Sequence, residues 1–149
     1  MRVSYDVFIG AFLEKISEYE FAGLSDETRS QTVNGYFHRA VSEFRKNCKY
    51  QFAGAFDDDN QTLDIEFAPE DLDELTDIIS EGMVVQWLKP YLNHQENLQN
   101  AISTRDYSVY SPSELLKQVG AAYDRARRNY IQMIREYSYN HGDLTKLHI

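Results

Sequence analysis

The histidines, the single cysteine and a dense run of acids are the residues of this chain that could do chemistry, and none is spaced for a familiar reaction. His38, His94, His141 and His148 stand far apart with no metal-ligand spacing, so each is expected to be hydrogen-bonded or solvent-facing. Cys48 is the only cysteine, which excludes an intrachain disulfide and a multi-cysteine zinc site. It falls on the apolar side of an expected helix, the setting of a buried structural thiol rather than a nucleophile. Asp57-x-Asp59-x-Gln61 opens like a calcium loop. The glycine such a loop needs would fall at Thr62 and its bidentate acid at Ala68, so the motif is broken. A glycine-rich phosphate loop, a GxGxxG turn, an HExxH helix and a GxSxG elbow are all missing. No cofactor or catalytic residue is therefore assigned.

The acids are unevenly placed. Residues 57–81 hold eleven of them (Asp57, Asp58, Asp59, Asp64, Glu66, Glu70, Asp71, Asp73, Glu74, Asp77, Glu81) and neither lysine nor arginine. The net charge is −9, and it becomes +2 once those eleven are set aside. A band of that sign repels nucleic acid. It reads either as a solvated helix face with its loop, or as a negative surface turned toward a basic partner or toward DNA that must pass without sticking. A metal-dependent hydrolase or nuclease built on these acids is a further reading. It suffers from having no basic neighbour to hold a phosphate.

Recognition chemistry is better represented. Of the eleven tyrosines, Tyr107, Tyr110, Tyr123, Tyr130, Tyr137 and Tyr139 lie in the last third, interleaved with Arg125, Arg127, Arg128 and Arg135. Tyrosine and arginine are enriched where proteins meet, because each offers large contact area with a polar tip.

The elements that must position these groups are mainly helical. Phe8, Phe12, Ile16 and Tyr19 recur at helical spacing in a first helix that starts near Ser4. Ser25 suits the N-cap of a second, whose stripe is Val33, Phe37, Ala40, Val41, Phe44 and Cys48. Leu63 to Phe67 alternates like a short strand and could pair with Tyr50 to Phe56 in a small hairpin near residues 50–67. Pro69 opens a third helix, apolar around most of its girth from Met83 to Leu88, hence the central element. Gly82 would let a neighbouring helix come close, and Pro90 must end or kink the helix, with Tyr91 to Ile102 continuing at an angle.

Ser111-Pro112-Ser113-Glu114 is a capping box that starts a long last helix. Its stripe runs through Leu116, Val119, Tyr123, Ala126, Tyr130, Met133, Ile134 and Tyr137. His141 falls in the last turn and Gly142 is the stop. The expected architecture is a four-to-five-helix bundle over residues 1–141, a single domain, followed by an extended tail over 142–149. Leu144, Leu147 and Ile149 make that tail apolar, which is natural for a segment docked on a partner. No run approaches the ~20 apolar residues that span a bilayer. The N-terminus also lacks a signal-peptide core, so no membrane role and a cytoplasmic start are expected.

Three stretches together resemble a family. They are Glu81-Gly82-Met83-Val84-Val85-Gln86-Trp87-Leu88-Lys89-Pro90, Gln95-Glu96-Asn97-Leu98, and Thr104-Arg105-Asp106-Tyr107-Ser108-Val109-Tyr110-Ser111-Pro112. With the ending Met133 to Ile149, they look like the structural neck proteins of tailed bacteriophages. The likeness covers the C-terminal half by residues and the N-terminal helices by pattern only. It implies a head-completion or head–tail connector: a small helical adaptor, commonly a dodecameric ring, seated beneath the portal protein and bearing the next neck or tail-completion protein. Such a chain would reside in the virion neck, and in the host cytoplasm before assembly, with DNA passing through unbound. The resemblance carries no catalytic residue. It implies portal docking by the last helix and tail, with Arg128, Tyr130, Arg135, Tyr137, Tyr139, His141, Asp143, Leu144, Leu147 and Ile149 as docking residues. Asp57, Asp58, Asp59, Asp64 and Glu66 are the candidates to face the channel. On this view Leu116 to about Ala126 packs on the domain and the rest is the docking arm. The alternative is an intracellular helical adaptor or regulatory module that binds one partner through the tyrosine-rich last helix.

Overall fold

The computed structural model describes residues 2–17, 30–92 and 112–141. A short strand β1 (Val3–Ser4) leads into helix α1 (Asp6–Ile16), and helix α2 (Ser30–Phe44) ends in a 3-10 turn, Arg45–Asn47. Strands β2 (Phe56–Asp57) and β3 (Thr62–Leu63) precede α3 (Pro69–Leu88), which closes in a second 3-10 turn, Lys89–Tyr91. Helix α4 spans Pro112–His141. The chain is therefore mainly α with a small antiparallel sheet.

Local chemistry accounts for the boundaries. Pro69 takes the first position of α3 behind an extended Ala68, where a missing N–H is harmless, and Glu70 and Asp71 fill the first turn. α3 stops at Leu88, and the 3-10 turn takes in Pro90, which has no donor to continue the ladder. α4 begins at Pro112, as the capping box requires, with Ser111 itself outside the described residues. The expected Tyr19, the Ser25 cap, the segment beyond Leu92 up to Ser111 and the tail 142–149 also lie outside them.

α3 is the centre of the bundle. Gly82 to Leu88 are all buried, and α1, α2 and α4 each pack along it. α1 contributes Phe8, Phe12 and Ile16, and α2 contributes Val33, Phe37, Ala40, Val41 and Phe44. α4 contributes Val119, Ala122, Ala126, Tyr130 and Tyr137. Much of the interior is aromatic: Phe37 meets Tyr5 and Phe8 at ring separations of 4.7 and 5.2 Å, and Phe44 meets Tyr137 edge-on at 5.1 Å. α2 lies between its neighbours, touching α1 through Phe37 and Phe8 and α4 through Tyr130, whose hydroxyl donates to the Ala40 carbonyl at 2.7 Å.

The expected hairpin forms, over shorter strands than the runs 50–56 and 63–67, and gains a third strand. Phe56 and Asp57 pair with Leu63 and Thr62, and β1 adds to the other edge of β3, giving the order β1-β3-β2. The Asp57 carboxylate accepts from the backbone N–H and the side-chain amide of Asn60. This pins a tight tip and sets the register there. Beyond Asp64 the chain leaves the ladder, and Phe67 packs on Tyr50 and Phe52 instead of pairing. Cys48 is likewise displaced from its expected place. It follows the 3-10 turn in extended conformation, half-buried, rather than sitting in the helix.

Candidate docking face

The tyrosines of α4 divide by position on the helix. Tyr130 is fully buried under α2, and Tyr137 is buried against Phe44, its hydroxyl accepting from the Lys49 N–H at 3.3 Å and lying 3.6 Å from Cys48 Sγ. Burial pushes both phenols well above the usual tyrosine range. It also raises the Cys48 thiol, which disfavours the thiolate. Tyr130 and Tyr137 are thus core residues and not docking residues. The packed length of α4 does not end near Ala126 but reaches Ser138, because the same stripe continues down the helix.

What α4 leaves outside is a polar row with one large aromatic. Arg128, Arg135 and Asn140 are exposed, and Tyr139 keeps 71% of its surface in solvent. Arg127 reaches back to Glu43 of α2 at 2.6 Å, so α4 is clamped by an ion pair beside its buried tyrosine. His141 is the final residue of the helix. Asp143, Leu144, Leu147 and Ile149 lie outside the described residues.

The acidic band is not one unpartnered face. Its cations come from elsewhere in the chain. Arg2 pairs with Asp57 at 3.3 Å, His38 Nε2 and the Tyr5 hydroxyl both meet Asp58 at 2.8 Å, and Lys49 pairs with the buried Asp71 at 2.8 Å. Lys15 bridges Asp77 and Glu81 at 2.8 and 3.0 Å. These pairs stitch β1, α1 and the α2–α3 connection onto the acidic elements. Of the five channel candidates, Asp58, Asp59, Asp64 and Glu66 are exposed, but the carboxylates of Asp57 and Asp58 are engaged at the hairpin tip. Among the described residues no three His, Cys, Asp or Glu side chains are gathered to hold a metal ion. No described helix is long and apolar enough to cross a membrane.

The tip makes a pH prediction. Hydrogen bonds from Asn60, with help from Arg2, hold the Asp57 carboxyl below its ordinary 3.8, and Tyr5 with His38 does the same for Asp58. A depressed carboxyl stabilises the fold above the ordinary value, and that contribution is lost as pH falls through the lower folded value. The protection of the amides at Val3–Tyr5 and around Thr62, taken relative to the intrinsic exchange rate at each pH, should therefore fall on acidification below pH 3.8, before the helices respond. Asp58→Asn should lower that protection at neutral pH and flatten the acid response.

Two concave surfaces lie on different faces of the bundle. Between α1 and α4 is a cleft of about 380 Å³, walled by Lys15, Asp77, Glu81, Asn129, Gln132 and Glu136. On the outer side of α2 is a groove of about 350 Å³, walled by His38, Arg39, Ser42 and Arg45 with Phe56 at its edge. The cleft is thus walled by α1, α3 and α4, and the groove by α2, its 3-10 turn and the hairpin, with no lining residue shared. Compared with protein-family models, curated proteins and solved structures, the chain matches none.

Proposed function

We propose that this chain is a non-enzymatic structural adaptor in the neck of a tailed bacteriophage. In this reading copies form a ring around the DNA channel. The ring joins the capsid portal to the next neck or tail component, and the chain waits in the host cytoplasm before assembly. The observation that carries it is the way α4 ends. The helix is fixed to the bundle by Tyr130 and Tyr137, yet its last turns present Arg135 and a 71%-exposed Tyr139, immediately before the apolar tail. A rigid strut that ends in an exposed aromatic and a hydrophobic segment is suited to delivering that segment to a neighbouring subunit. The docking set is then Arg128, Arg135, Tyr139 and His141 together with Asp143, Leu144, Leu147 and Ile149. The channel-facing set narrows to Asp59, Asp64 and Glu66.

The experiment is a chain lacking residues 142–149. It should melt at the temperature of the full chain and fail to complete heads in an infection assay. Complete heads from the truncated chain would contradict the docking role. Tyr139→Ala should act in the same direction, weakening portal binding by about tenfold or more without altering the fold. The alternative, a regulator with one discrete partner, is separated by stoichiometry: the adaptor loads as a ring, the regulator in a fixed low ratio.

A further inference from the structure

The groove on α2 and the cleft between α1 and α4 carry opposite charge, and the geometry points to their meeting between two copies of this chain. The cleft holds three carboxylates, Asp77, Glu81 and Glu136, against the single ammonium of Lys15. Asp73 is exposed one turn before Asp77 on α3. The α2 face presents Arg39 and Arg45, both exposed, with Lys46 beside them. His38 at the rim has its Nε2 committed to Asp58. Arg127, by contrast, is already engaged by Glu43 of its own chain. Arginine suits a cleft of this kind, since its planar fork can bridge two carboxylates and its stem can lie along Met133.

A second copy is the favoured occupant because one chain carries both halves of the match, on separate faces of one bundle. A contact between two different patches is heterologous, and repeated copy to copy it closes into a ring or runs on as a filament. It is the kind of contact the ring-forming adaptor needs, and it rests on that reading. The pairing is electrostatic and largely exposed, so it steers and orients subunits and weakens with salt. That fits a subunit that must stay dispersed until it is concentrated on its platform.

The test uses the full chain in sedimentation velocity, with wild type, Arg39→Glu/Arg45→Glu, Asp77→Lys/Glu136→Lys and an equal mixture of the two variants. Wild type should self-associate, and less so as salt rises from about 0.05 M to 0.5 M. Each variant alone should associate more than about tenfold more weakly, since like charges then face each other. The mixture should recover association, because the acidified α2 of one variant fits the basified cleft of the other. Arg39 and Arg45 are exposed, so that variant keeps its fold whatever happens to the cleft variant. A carbodiimide cross-link in Arg45→Lys, mapped between the new lysine and Asp77, Glu81 or Glu136 of another copy, would support the contact directly. Variants that associate like wild type would overturn it while leaving ring formation through another face intact. Absence of association in wild type together with absence of the cross-link in Arg45→Lys, both at low salt, would also overturn it. The adaptor reading itself is judged separately, by head completion.

Discussion

Gly82→Val should destabilise the chain by about 3 kcal/mol or more, enough to unfold a marginal domain. A Cβ at position 82 would sit 2.7 Å from Cε1 and Cζ of Tyr130 and 3.0 Å from the Ala40 Cβ. Distances under about 3 Å must relax, and here little can. Tyr130 is fully buried, and its hydroxyl is held by the Ala40 carbonyl at 2.7 Å. Gly82→Ala has a compensation, because alanine is favoured over glycine in a helix by about 1 kcal/mol. Overpacking of a tight core costs about 1–3 kcal/mol, so the alanine variant should lose far less than the valine one, up to about 2 kcal/mol. Urea unfolding measures both. A double-mutant cycle with Tyr130→Leu identifies the cause: the two substitutions together should cost less than their sum, since the smaller side chain frees the space. Additive costs would mean that the close approach of α4 to α3 is not what glycine serves.

Asp71→Ala should cost about 2–3 kcal/mol, the range for losing hydrogen bonds to a buried charged group. Asp71 is 5% exposed and accepts from the Tyr50 hydroxyl at 2.6 Å and from Lys49 Nζ at 2.8 Å. The same hydroxyl accepts from the Ala68 N–H at 3.2 Å, the residue that caps α3. One carboxylate thus ties the exit of α2 to the start of α3 across the α2–α3 connection. Lys49→Ala should cost much less, because its ammonium is solvated and can be replaced by water. Equal losses for the two variants would contradict a staple centred on the aspartate.

These positions show which parts of the molecule were legible beforehand. Pro69, Gly82 and Pro90 act locally, through a missing donor or a missing Cβ, and their consequences could be stated from spacing alone. The helix stripes were equally readable, since burial on one face follows the 3.6-residue period. The acidic band was misleading for the opposite reason. Its partners Arg2, Lys15, His38 and Lys49 lie up to 66 positions away, and no local pattern tells a solvated acid from one held by a distant lysine. The N-terminal strand was missed on the same ground, as two residues pairing with a remote hairpin leave no periodic trace.

Tyr130 and Tyr137 show the limit most clearly. Tyrosine is at home both in a core, with its hydroxyl satisfied, and on an interface. Composition weighs those equally, while position on the helix decides between them. The stripe did contain both residues, and the structure assigns them to the core, which leaves Tyr139 as the aromatic of the docking end. In the proposed function the docking arm is consequently limited to the last turns of α4 and residues 142–149.

A cryo-EM reconstruction of the portal vertex in assembled particles tests the adaptor reading most directly. It should show copies of this chain in a ring between portal and the next neck component, with the end of α4 and residues 142–149 against the portal. A particle without the chain, or a ring whose α4 ends point away from the portal, would contradict it.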